Sequence, residues 1–198
     1  PDRIVEIVNG VARACREAGC ALLGGETAEM PDVYQENELD LVGTIVGWVE
    51  RDRIIDGHDI QPGDVLFGLP STGLHTNGYS LARKVLAHLP LDSEMPESGD
   101  KLVDALLAPH RSYLDPVKRL TNVLQIKGLV HITGGGFYAN IPRILPEGQG
   151  ARIKRGTWPV LPIFELIQSL GQVAPEEMYR VFNMGIGMSV SVAADHAQ

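Results

Sequence analysis

Apolar residues in the first part of the chain recur with a helical period and then change rhythm. Ile4, Ile7, Val8, Val11, Ala12 and Cys15 fall at i, i+3, i+4 and i+7, the stripe of an amphipathic helix, and Gly19 is placed to cap its end. Residues 20–23 (Cys-Ala-Leu-Leu) are a short apolar run that predicts a buried strand. Residues 39–49 alternate and are rich in β-branched side chains, which predicts a longer strand with Gly43 and Gly47 as bulges or close contacts. Residues 51–63 are polar and end in Gln61-Pro62-Gly63, a turn signal. A domain boundary is expected there, giving domains at 1–58 and 59–198.

Val65, Leu66, Phe67 and Leu69 then predict a buried strand ending at Pro70, and Leu81, Ala82, Val85 and Leu86 predict a helix over residues 79–86. Residues 90–99 read as a surface loop and 101–107 as a short helix. Residues 116–126 predict a helix with Val117, Leu120, Val123 and Leu124 on one face and a proline in its first turn. Residues 129–132 predict a strand, and residues 137–144 a helix ended by Pro146. Two more helices are expected at 163–170 and 175–182, then a last strand at 190–193 and the entry to a further helix after it. The recurring order of strand, loop and helix makes the class α/β (α+β).

Composition narrows the function. A charge of −8 argues against non-specific nucleic-acid binding, which needs a basic surface. No apolar run approaches the roughly 20 residues of a membrane helix, so no membrane partner is expected. With Cys15 and Cys20 outside any Cys-x-x-Cys or Cys/His pattern, both are expected to be buried free thiols in a reducing cytoplasm. The chain starts at Pro1 and stops just past a strand, so it is expected to be a piece of a longer protein.

Four loops share one design: Gly24-Gly25-Glu26-Thr27, Gly73 to Gly78, Gly134-Gly135-Gly136 and Asn183 to Gly187. Each adjoins an apolar segment, and glycine there lets the backbone approach a ligand and turn N–H groups toward it. The central loop precedes a helix start, where free N–H groups and the positive dipole end favour an anion. None of the loops matches the P-loop or the dinucleotide fingerprint. Glu26 is either a Mg²⁺ contact beside a phosphate loop or a capping carboxylate. His75 is either a general acid/base or phosphate donor, or loop filler. His131 is expected to orient the glycine triplet, whereas His58, His88, His110 and His196 carry no readable signal.

These residues resemble the phosphoribosylformylglycinamidine cyclo-ligase (aminoimidazole ribonucleotide synthetase) family. The resemblance rests on Gly24-Gly-Glu-Thr-Ala-Glu-Met-Pro31, Gly63-Asp-Val-Leu, Gly73-Leu-His-Thr-Asn-Gly-Tyr-Ser-Leu81, His131-Ile-Thr-Gly-Gly-Gly-Phe137, Asn140-Ile-Pro-Arg143 and Phe182-Asn-Met-Gly-Ile-Gly-Met188. It implies a two-domain fold: part of an N-terminal dimerising sheet domain, and an α+β C-terminal domain truncated at its end. It also implies a cytoplasmic homodimer that uses ATP and Mg²⁺ to close the imidazole ring of formylglycinamidine ribonucleotide, leaving ADP, phosphate and aminoimidazole ribonucleotide. ATP would phosphorylate the formamide oxygen and a ring nitrogen would displace the phosphate.

Carried over, the resemblance makes Glu26 the metal contact and His75 the catalytic residue. It makes Gly24, Gly25, Thr27, Gly73, Asn77, Gly78, Ser80, Gly134, Gly135 and Gly136 ATP- or substrate-binding. For Asn183 to Gly187, packing and ligand binding both stay open. The family's Asp-Gly-Val-Gly-Thr-Lys-type loop is absent from this sequence, so the piece alone is expected to be inactive. Other enzymes of the superfamily, of the thiamine-phosphate kinase or selenophosphate synthetase type, and a non-catalytic dimerisation module are the alternatives.

Overall fold

The middle strand of a three-stranded antiparallel sheet is the last strand in the sequence. The computed structural model describes residues 2–36 and 38–197, and the chain divides into two units, 1–51 and 52–198. In the second unit β1 (Val65–Pro70) and β2 (Gly128–His131) flank β3 (Ile186–Val192) on either side. Val65 lies opposite Val192 and Pro70 opposite Ile186, while Gly128 faces Ser191 and His131 faces Met188. The C-terminal ends of β1 and β2 therefore both lie at the N-terminal end of β3. The loops that follow β1 and β2, and the one that precedes β3, emerge at one end of the sheet.

Both faces of the sheet are covered. The larger core joins Leu66 and Val130 of the sheet to Ala82 and Leu86 of α2 (Tyr79–Leu86), Leu102 of α3 (Leu102–Leu106), Phe137 of α5 (Gly136–Asn140), Phe164 and Ile167 of α6 (Pro162–Gly171), and Met178 of α7 (Pro175–Val181). A smaller cluster packs Leu120 and Leu124, from the end of α4 (Leu114–Val123), against Leu69, Leu129, Val190 and Val192. Burying these side chains drives the layering. Outside the core, the Lys127 ammonium sits 2.8 Å from the Asp64 carboxylate and ties the entry of β2 to that of β1. Burial favours the neutral acid of Asp64, but hydrogen bonds from Lys127 and the Gln61 N–H outweigh it and hold the carboxyl below its ordinary range.

Three elements differ from the sequence expectation by more than one residue at a boundary. Helix α4 begins at Leu114 rather than 116, because first-turn N–H groups have no partner to lose and Pro116 fits inside. The helix expected over 137–144 is α only to Asn140 and tightens to a 3₁₀ turn over Ile141–Ile144, where Pro142 supplies no N–H. Strand β3 starts at Ile186, four residues before expected, since ladders on both sides override the weak strand propensity of Gly187. The residues expected to form the entry to a further helix make a 3₁₀ turn, Ala194–Ala197.

The first unit departs further. Helix α1 (Asp2–Ala18) forms as its periodicity requires, and Gly19 follows it at φ 67°. No strand forms over residues 20–23 or 39–49 among the described residues. A strand needs a neighbouring ladder, and the backbone hydrogen bonds here are local turns such as Tyr34 N–H to the Met30 carbonyl. Leu23, Val42, Ile45, Val46 and Trp48 consequently stay exposed. The expected burial of the thiols fails for the same reason: Cys15 is half-buried and Cys20 exposed, and among the described residues α1 buries none of its side chains.

Candidate active site

At the shared end of the sheet, two asparagines hold the loops. Asn183, 3% exposed, accepts from Ser71 Oγ at 2.8 Å and from the Gly185 N–H at 2.9 Å. Its Nδ2 donates to the carbonyls of Gly73 at 2.9 Å and Leu74 at 3.3 Å. One amide thus ties the loop after β1 to the turn before β3, which gives Asn183 a packing role. Asn140 does the same for the glycine triplet, donating to the carbonyls of Gly136 at 2.7 Å and Gly134 at 3.2 Å and accepting from Thr133 Oγ1 at 3.1 Å.

Three of the four glycine loops are brought together. The Asn77 amide oxygen lies 3.1 Å from where a Cβ on Gly134 would stand, so the central loop and the triplet touch. Gly78 caps α2 at φ 84°, and a Cβ there would lie 2.2 Å from the Phe182 ring. Only glycine supplies both the left-handed backbone and the clearance. Gly73 and Gly136 are buried, Gly135 is half-buried, and Gly134 and Ser80 are exposed. The fourth loop, with Gly24, Gly25, Glu26 and Thr27, belongs to the first unit and is exposed throughout. Its Glu26 carboxylate is an oxygen donor of the kind Mg²⁺ takes, one or two per site with phosphate oxygens completing the shell.

His75 sits at the centre, 5% exposed and in the left-handed region at φ 59°. A non-glycine residue there costs about 1–3 kcal/mol and persists only when its surroundings impose it. The Thr72 N–H donates to His75 Nε2 at 3.2 Å, which puts the ring hydrogen on Nδ1. That Nδ1 is buried with no hydrogen-bond partner among the described residues. Burial first, then the neighbouring His110 and His131, push the pKa of His75 down to about 4. The ring is neutral at pH 7, a hydrogen-bond donor without charge.

Two more histidines complete the group. The His110 ring lies on His75 with centroids 3.9 Å apart and donates from Nδ1 to the Arg111 carbonyl at 2.8 Å. Its Nε2 is 3.0 Å from Nε2 of His131, whose pKa is lowered by burial and by His110. Tyr113 stands edge-on to all three rings and donates to the Pro70 carbonyl at 3.0 Å. Burial pushes its hydroxyl up to about 12, against a smaller opposing effect of Arg111. Beneath them runs Gly187, where a Cβ would stand 2.0 Å from the Tyr113 hydroxyl and 2.7 Å from His75 Cε1.

Beside His131 opens a cavity of about 220 Å³, also lined by Thr133, Asn140 and Arg143. A larger one of about 400 Å³, between Phe137, Ile141 and Tyr179, is lined by none of the catalytic, binding or metal residues expected from sequence. Sequence reasoning placed His75 here but missed His110, Tyr113 and the clamp Asn140. The run Pro109-His110-Arg111-Ser112-Tyr113, polar and aromatic between two helices, was the available signal.

Residues 61–198 match the family model described as AIR synthase related protein, C-terminal domain, and residues 1–49 match that of the N-terminal domain. The chain is 52% identical over 200 residues to a phosphoribosylformylglycinamidine cyclo-ligase of Geobacillus thermodenitrificans, covering 100% of this chain and 58% of that protein. It is 54% identical over 198 residues to the enzyme of the same name from Myxococcus xanthus, covering 98% of this chain and 57% of that one. The chain therefore spans little more than half the length of these curated relatives.

Proposed function

Because this chain belongs to the AIR synthase related proteins, we propose that the protein containing it closes the imidazole ring of formylglycinamidine ribonucleotide at the expense of ATP. The products are aminoimidazole ribonucleotide, ADP and phosphate. The observation that carries this reading within the chain is the meeting of three glycine loops around a buried, neutral His75 whose Nδ1–H lacks an acceptor. The names of the relatives, at about 50% identity, supply the reaction.

In this reading His75 donates its Nδ1–H to an oxygen that gains negative charge as the amide is phosphorylated or the phosphate leaves. A preorganised donor in a dry site acts where charge develops and needs no reorganisation. Its neutrality suits the task, since a ring already protonated would offer charge to any anion and discriminate less between ground and transition state. Gly73, Asn77, Gly78, Ser80, Gly134, Gly135 and Gly136 present backbone and side-chain donors to substrate or nucleotide. Gly24, Gly25 and Thr27 line the nucleotide's phosphates, and Glu26 contributes a carboxylate to Mg²⁺, which would neutralise the triphosphate. The exposed apolar row Val42, Ile45, Val46 and Trp48 supports a homodimer in which those segments complete a shared sheet. No helix among the described residues is long and apolar enough to cross a membrane; a cytoplasmic location is part of the same proposal.

A steady-state assay of the full-length protein tests this. His75→Ala is expected to lower kcat by about 10²-fold, the loss seen when one oxyanion donor is removed. The unfolding midpoint, measured alongside, should move by only a few degrees. An unchanged kcat in a folded variant removes His75 from the chemistry. Absence of ATP-dependent ring closure by the unmodified protein removes the reaction itself.

A further inference from the structure

We propose that His75, His110 and His131 form a site for one divalent transition-metal ion, of the zinc, nickel or copper class. It is separate from the Mg²⁺ assigned to Glu26. Each histidine offers one ring nitrogen, and these atoms lie within 4.8 Å of one another. In a tetrahedral zinc site, bonds of 2.0–2.1 Å place nitrogen pairs about 3.4 Å apart. The three nitrogens therefore need to close by no more than about 1.5 Å. Two of the residues, His110 and His131, are exposed.

Local hydrogen bonding already prepares His110. His110 gives its Nδ1–H to the Arg111 carbonyl at 2.8 Å. That is the outer contact by which metal-bound imidazoles are oriented, and it leaves the Nε2 lone pair free. Nε2 of His131 stands 3.0 Å from that lone pair with the two rings 78° apart, so a hydrogen bond now joins the pair of nitrogens a cation would bridge. His75 has its Nδ1 unpartnered.

Thr72 accommodates both tautomers of His75. Its N–H approaches Nε2 at 3.2 Å, and its Oγ1, which donates to the Pro109 carbonyl at 2.6 Å, has a lone pair 3.3 Å from the same nitrogen. Moving the ring hydrogen to Nε2 would direct it onto Oγ1, give up the bond from the Thr72 N–H and free the Nδ1 lone pair for metal. Three imidazoles without a carboxylate are a nitrogen donor set that suits zinc, nickel or copper rather than magnesium, and they leave a fourth position for water or a substrate oxygen. Occupancy would also withdraw the Nδ1–H donor of His75, so such metals should inhibit the reaction proposed above.

The test is a Co²⁺ titration of the full chain after chelator treatment, with Co²⁺ as the spectroscopic probe. One equivalent should bind with the intense visible absorption of four-coordinate cobalt, and Zn²⁺ should displace it while Mg²⁺ does not. His110→Ala should weaken Co²⁺ binding by about 10- to 100-fold, on the scale of losing an orienting contact or a ligand. Because His110 is exposed, this change leaves the core intact; His131→Gln is the second variant and should act alike. His58→Ala, which disrupts the exposed group of His58, Asp56 and Asp59, should leave binding unchanged. A weak six-coordinate spectrum, or affinity unaffected by His110→Ala and His131→Gln, overturns the site. So does loss of binding in His58→Ala alone. None of these readouts depends on whether the ring-closing activity is correctly assigned.

Discussion

Asn183→Ala is expected to lower the unfolding midpoint by roughly 10 °C and to remove most turnover. The wild-type amide satisfies four buried groups at once: Ser71 Oγ, the carbonyls of Gly73 and Leu74, and the Gly185 N–H. Ser71 can rotate its hydroxyl elsewhere, but the backbone groups cannot move without unpicking the loop. Leaving buried polar groups unpaired costs about 1–3 kcal/mol each, so the total is of the order of 3–5 kcal/mol. For a protein of this size that is roughly 2–4 °C per kcal/mol. Asn183→Asp separates the roles, because it keeps both accepted bonds and sets a carboxylate against two carbonyls. It should destabilise by a comparable amount despite its nearly identical shape. Calorimetry checks both, and shifts under about 2 °C would mean that the clamp is incidental.

Gly187→Ala is expected to damage the site more than the fold. The added methyl would stand 2.0 Å from the Tyr113 hydroxyl and 2.7 Å from His75 Cε1, and neither ring has an easy escape. Tyr113 is 6% exposed and anchored to the Pro70 carbonyl, while His75 is pressed beneath His110. Overpacking of this kind costs about 1–3 kcal/mol of stability. Displacing a reacting group by about 1 Å can cost about 10²-fold in rate, and that is the loss expected in kcat. Tyr113→Phe deletes the nearest atom, leaving the ring carbon 2.9 Å away, so the double variant should regain part of what Gly187→Ala loses. Additive losses in that cycle would show that the two positions do not meet.

These two positions also show what was legible from sequence. Helices α2, α6 and α7 and strand β1 follow from apolar spacing, because each buries one face in a local, periodic way. Gly187 and Asn183 were seen as loop chemistry, and the start of β3 was hidden, because strand pairing is a long-range property that a glycine-rich stretch does not advertise. The His75–His110 stack joins residues 35 positions apart, and the Asn183–Ser71 bond joins residues 112 apart. No periodicity reports such distances. In the first unit the alternation of residues 39–49 was read correctly as apolar, yet alternation alone makes no strand where no ladder is supplied. Cys20 was misread for the same reason, as burial depends on what packs over a helix end rather than on residue type.

The fold class and family were legible because several short motifs occur in a fixed order. Residue roles were less so, since a loop histidine looks the same whether or not its surroundings bury it. His75 was a candidate catalytic group from the sequence, and the structure adds a tautomer fixed by Thr72 and a buried Nδ1 without a partner among the described residues.

The measurement that bears most directly on the whole account is a crystal structure of the full-length protein with formylglycinamidine ribonucleotide, Mg²⁺ and a non-hydrolysable ATP analogue. It should show His75 Nδ1 within about 3 Å of an oxygen on the reacting groups, with residues of the central loop and the Gly134–Gly136 loop on the same ligand. A ligand seated elsewhere, with His75 Nδ1 still unpartnered, would contradict it.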